Sequence, residues 1–163
     1  EINSENRVKL LSGENDYDSF SDYLAINRAL NKDDETIDLF TIISETFPLI
    51  AQEYYRVTGI EDVLINNQKY ELIKKHMTDP ILTYEGFRNM RQWNLSFIRQ
   101  KHRNAGSKQD ADDYFINETL KLIKTLLIIN RRAEAEEIQK RAVAELDHYK
   151  LKNAITQLSL LLE

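Results

Sequence analysis

Apolar residues recur along the chain at three- and four-residue intervals, and no stretch of two-residue alternation bounded by hairpin turns interrupts them. That periodicity predicts helices from end to end. A short opening segment, Ser4 to Leu11, stops at Gly13, and a polar loop follows through Asp18. Ser19, with Asp22 three residues on, starts a helix that reaches Leu30. Asp33, Asp34 and Glu35 place negative charge at the positive end of a second helix over about 34 to 57. Ile37, Leu39, Phe40, Ile42, Ile43, Phe47, Leu49, Ile50 and Ala51 point all round it, which marks it as the central, most buried helix. Pro48 has no N–H for the Ser44 carbonyl, so a kink or break is expected near Phe47. A third helix covers about 61 to 77, and a fourth runs from Asp79-Pro80 to about Asn104. Residues 105–109 read as a flexible linker, ahead of a fifth helix from Asp110 to Asn130. A sixth runs from near Arg132 to Leu162, with a break near Asp147. The expected fold is all-α: one domain over 1–163, with six or seven helices in antiparallel hairpins forming an array or an irregular bundle.

Composition narrows the function classes. A chain of 163 residues, 42% hydrophobic, buries roughly two thirds of its unfolded surface and needs no metal or disulfide staple. Cysteine is absent, which removes thiol catalysis, zinc–thiolate sites and disulfide scaffolds together. With 4 Gly and 2 Pro there is no glycine-lined nucleotide loop. No apolar run is long enough to insert in a membrane and no signal-peptide pattern opens the chain, so the cytoplasm is the favoured compartment. Charge is uneven: residues 1–60 hold 12 acids and 5 bases, whereas residues 61–110 hold 6 acids and 9 bases.

The last two helices carry the most informative pattern. Leu122 and Leu126 precede a turn at Ile129-Asn130, after which Ala135, Ile138, Ala142 and Leu146 follow on one face. Small residues seven apart let a partner helix approach closely. Residues 116–149 thereby resemble one tetratricopeptide repeat, with Leu122 at the leucine position, Leu126 replacing the usual tyrosine, and Ala135 and Ala142 as the helix-packing alanines. Thr119 stands at the tryptophan position, Ile123 where a small residue belongs, and Asp147 where the closing proline belongs. The resemblance implies a helical-hairpin module that binds a protein or peptide partner without catalysis.

The fourth helix is two-faced. At about 100° per residue, Arg88, Arg91, Arg99, His102 and Arg103 share one arc with Leu95, while Phe87, Met90, Trp93, Phe97 and Ile98 share the other. The arginine arc is the candidate binding site, able to grip phosphates or an acidic partner bidentately, with nucleic acid as the alternative partner. The reading set against this is a solvated face pairing with acids of neighbouring helices. Trp93 and Phe97 are expected in the core.

Catalytic and metal groups are sparse. Glu145 and His148 form one Glu-x-x-His pair, but Ile73 precedes His76 and Arg99 precedes His102 at that offset, so no second metal-binding motif completes a di-iron set. No triad can be drawn around the three histidines, and neither cofactor nor metal is expected. Glu45 and Glu53 on the central helix are the carboxylates through which a general acid–base enzyme would work, the remaining alternative. Leu158, Leu160, Leu161 and Leu162 form an apolar tail suited to self-association through the C-terminal helix.

Overall fold

The computed structural model describes the backbone of residues 2–100 and 105–163, and the side chains of residues 2–97 and 110–163. Every regular element among them is a helix: α1 (Ile2–Leu11), α2 (Tyr17–Ala29), α3 (Asp33–Thr46), α4 (Pro48–Val57), α5 (Ile60–Asn66), α6 (Tyr70–His76), α7 (Pro80–Gln100), α8 (Ala105–Ile128), α9 (Arg132–His148) and α10 (Lys152–Leu160). The all-α class holds. The count of six or seven does not, because three expected long helices are each cut in two. The break at Phe47-Pro48 separates α3 from α4, and α9 ends at His148 before α10. The third cut falls at Asn67-Gln68, inside the stretch expected as one helix over 61–77. The 105–109 segment expected as a linker forms the start of α8.

A single corner geometry makes two of these three cuts, at Gln68 and Lys150, and two of the expected connections, at Asn31 and Asn130. Asn31, Gln68, Asn130 and Lys150 all have φ between 55 and 60°. At each, the next residue donates its N–H across the turn: Lys32 to Asn27 O, Lys69 to Leu64 O, Arg131 to Leu126 O and Leu151 to Leu146 O. These are Schellman closures, in which one left-handed residue satisfies the last carbonyls of one helix while the next begins at once. Lys32, Lys69, Arg131 and Leu151 are then the N-cap residues of α3, α6, α9 and α10, without a side-chain cap bond. Elsewhere caps are polar. The Asp16 carboxylate accepts from the Ser19 N–H at 3.0 Å and starts α2 two residues earlier than expected. Asp79 accepts from Ile81 N–H at 2.8 Å, with Pro80 in the first turn of α7.

The chain divides into two compact units, Glu1–Met77 and Thr78–Glu163. In the first, α1 packs on α2 and α3, α2 on α3 and α4, and α3 to α6 on one another. Phe20 and Tyr54 stack at 4.6 Å between ring centres, and Phe40 lies beside them. The Tyr54 hydroxyl donates to Glu14 O and accepts from Asp16 N–H, which ties the α1–α2 connection to α4. A polar link, Asn3 to Asn27 to Thr36, joins α1, α2 and α3 inside the unit. The expected central helix is not buried all round: α3 and α4 each bury one face. Leu39, Phe40 and Ile43 are buried while Ile42, on the outer face of α3, is exposed, and beyond the break at Pro48 Leu49 is exposed as well.

In the second unit α7 packs against α8 and α9, α8 against α9, and α10 against α9. Leu122, Ile123, Leu126, Ala135, Ile138, Ala142 and Leu146 are all buried, so the small residues of α9 sit where helices approach. Thr119 is buried as well, its hydroxyl without a hydrogen-bond partner among the described residues.

Candidate functional site

The two arcs of α7 are inverted relative to the sequence expectation. Tyr84, Arg91 and Leu95 lie inward, with Arg91 0% and Leu95 5% exposed. Leu82, Met90 and Trp93 lie outward at 70%, 48% and 65%, and Phe97 is exposed beside them. Trp93 and Phe97, one helical turn apart, stack on each other at 5.6 Å rather than entering the core. Phe87 meets Tyr114 of α8 edge to face at 6.2 Å. The inward arc is what α8 and α9 need: Tyr84, Arg91 and Leu95 recur at seven and four residues, the spacing of a buried helical face.

Burying a guanidinium is costly unless counter-charges meet it. Arg91 Nε donates to Asp112 Oδ1 at 2.7 Å, and its Nη2 lies 2.5 Å from the same oxygen. Glu145 Oε1 stands 3.7 Å from Nη1. The flat face of the group rests 4.2 Å from the ring centre of Tyr149 and 5.7 Å from that of Phe115, an arrangement that favours a cation. Arg88, one turn earlier, donates to Glu145 at 3.0 Å and pairs with Glu85, which also holds Arg141. Burial pushes the Tyr84 phenol up to about 12, and the neighbouring Glu145 charge adds to it. Arg88 and Arg91 therefore fasten α7 to α8 and α9 instead of standing on an open basic face. The Arg99 side chain, His102 and Arg103 lie outside the described residues.

Two hollows border this network. One of about 380 Å³ is lined by Tyr84, Glu85, Arg88, Arg141, Ala144 and Glu145. The other, of about 650 Å³, brings Asp112 together with Asn117, Lys150, Lys152, Asn153 and Gln157 at the α9–α10 corner. The first is walled by charges that pair with one another, the second by Asp112, two lysines and amides, and neither lining presents a nucleophile beside a base.

One pair escaped the sequence reading. His76 Nε2 lies 2.6 Å from Ser44 Oγ, and its Nδ1 lies 3.3 Å from Gln52 Oε1, whose amide also donates to His76 O. The residues come from α3, α4 and α6, so no local motif announces them. Ser44 and His76 are both buried, with Phe40 edge-on to the imidazole at 5.2 Å. A substrate carbonyl has no approach to that hydroxyl, and the pair serves as a polar bolt within the first unit. Burial, and secondarily the adjacent Lys75 charge, hold the imidazole below its ordinary pKa.

The remaining candidates separate. Glu45 is exposed at the end of α3, while Glu53 on α4 accepts from Asn15 at 2.9 Å, so the two do not form an acid–base pair around one substrate position. Glu145 belongs to the arginine network, and His148 stacks edge-on with Tyr149. Among the described residues no group of three or more His, Asp or Glu side chains could hold a metal ion, and no helix is long and apolar enough to cross a membrane. In the C-terminal tail Leu158 is buried while Leu160 is exposed. Searches among family models, curated proteins and solved structures return no match to this chain.

Proposed function

We propose that the chain is a non-catalytic protein-interaction module, a TPR-like set of helical hairpins whose docking face is the outward side of α7. The observation that carries this reading is the exposed row of Leu82, Met90 and Trp93 on a helix whose Arg91 is buried and whose Arg88 pairs with Glu145. Large apolar side chains in a row, with a tryptophan at the middle, are what a partner buries, and tryptophan is over-represented among residues that dominate binding energy. The hairpin reading is supported by Leu122, Leu126, Ala135 and Ala142, which are all buried in the α8–α9 pair. Arg88 and Arg91 favour it over a nucleic-acid partner, since Asp112, Glu145 and Glu85 already match their charge.

The test compares capture by the immobilised protein and by a Met90→Ser/Trp93→Ser variant, from nuclease-treated lysate at physiological salt. The proposal expects defined proteins that the wild type retains and the variant loses. Equal capture by both, or capture that disappears with nuclease, contradicts it.

A further inference from the structure

We infer that the outward face of α7 docks onto the same face of a second copy of this chain, the two helices running antiparallel about a two-fold axis between Asn89 and Met90. The inference rests on the interaction-module reading and names its partner. Leu82, Met90, Trp93 and Phe97 are exposed within one arc of about 120°, at 100° per residue. Gly86, Asn89 and Ser96 lie between them in the same arc and are exposed too, so the strip carries no charge. Glu85 and Arg88, the charged residues beside it, pair with each other and with Arg141 and Glu145. The strip therefore calls for an apolar counterpart rather than a counter-charge. Copies of a chain with net charge −5 can meet on it without like charges facing across the contact.

The strip supplies that counterpart itself. The midpoint of Gly86 and Trp93 is also the midpoint of Leu82 and Phe97, and it falls between Asn89 and Met90. An antiparallel two-fold contact centred there sets Trp93 of each copy opposite Gly86 of the other, and Leu82 opposite Phe97. Gly86 leaves open space where a Cβ would stand, which is the hollow an opposing indole ring needs. A parallel pairing would instead set Trp93 against Trp93 and leave the two hollows facing each other.

The area fits a small dimer. Leu82, Met90, Trp93 and Phe97 are 70, 48, 65 and 36% exposed, which leaves roughly 400 Å² of apolar side chain open per copy. Two faces bury roughly 800 Å² from these side chains alone, and the smaller residues between them go with it, towards the lower bound of about 1,200 Å² for specific interfaces. That area suits a reversible dimer formed at raised concentration, and the two-fold closes it at two copies.

The chain has one tryptophan, which lies in the contact, and no cysteine, so the native indole and single introduced thiols report on it. Light scattering and Trp93 fluorescence are read across concentration. The wild type is expected to double in mass, with a blue shift of Trp93 emission, equally at low and high salt because no ion pair holds the contact. Gly86→Leu fills the hollow at an exposed position, and circular dichroism checks that it folds. It is expected to weaken the dimer at least tenfold, as is Trp93→Ser. Mild oxidation of single-cysteine variants then tests the register. Asn89→Cys lies beside the two-fold, within disulfide reach of its own copy, and is expected to cross-link; Leu82→Cys, about 22 Å along the helices from its mate, is not. A wild type that stays at single-chain mass overturns the inference. So does a Gly86→Leu variant that pairs as well as the wild type, an association that salt disperses, or faster cross-linking through Leu82→Cys than through Asn89→Cys. If single-chain protein still captures other proteins through Met90 and Trp93, only the second-copy inference fails; if it captures nothing, the interaction-module reading fails with it.

Discussion

Arg91 on α7 and Asp112 on α8 meet inside the second unit at 2.7 Å, Nε to Oδ1, with the arginine wholly removed from solvent. This pair orients α7: once Arg91 turns inward to Asp112 and Glu145, Met90 and Trp93 are left outside. The exposure of Met90 and Trp93 is thus a consequence of where two carboxylates sit on neighbouring helices.

Removing one member leaves the other charge buried and unmatched. Arg91→Met is expected to cost about 3–5 kcal/mol in urea unfolding, whereas the double variant Arg91→Met/Asp112→Leu recovers much of that loss. A single variant as stable as the wild type would show that Arg91 is not buried.

His76 makes the first unit sensitive to acid. Its folded-state pKa lies below its ordinary value near 6.5, so the neutral form is favoured by folding. The stability this preserves is complete above about pH 6.5 and is lost as pH falls towards the folded-state value. Unfolding free energies from pH 8 to 5 are expected to fall more steeply for the wild type than for His76→Gln. Identical slopes contradict the assignment.

Two glycines behave oppositely. Gly13 has φ +87°, and a Cβ there would stand 2.8 Å from the Phe47 ring, so Gly13→Ala is expected to destabilise by at least about 1–2 kcal/mol. Gly86 lies within α7 facing open space, and Gly86→Ala is expected to stabilise by about 0.5–1 kcal/mol. Thermal melts of both variants check the contrast.

The left-handed corners carry a related expectation. Gln68 and Lys150 hold φ of 57 and 58° without the freedom of glycine. Gln68→Gly and Lys150→Gly are each expected to gain about 0.5–1 kcal/mol by relieving that strain. A loss in chemical denaturation would show that those side chains contribute more than the strain costs.

Helicity was legible throughout, and so was the break at Pro48, because proline's missing donor acts locally. The break at Gln68 was not: a left-handed residue other than glycine leaves only a weak trace, here the preceding Asn66-Asn67. The two faces of α7 were read correctly as arcs and assigned the wrong way round. Assigning charge outward is sound until a distant acid neutralises it, and Asp112 and Glu145 lie 21 and 54 residues from Arg91 in sequence. Leu95 among the arginines, with Tyr84 two turns ahead of Arg91, was the local sign that this arc faces inward. Ser44, Gln52 and His76 were out of reach for the same reason, since three helices bring them together.

The most direct measurement is acrylamide quenching of Trp93 in dilute protein. The account predicts quenching close to that of a free indole side chain, because α7 turns Trp93 to solvent and Arg91 to the interior. A protected, blue-shifted tryptophan under those conditions would place the aromatic arc in the core and the arginines outside, and would contradict it.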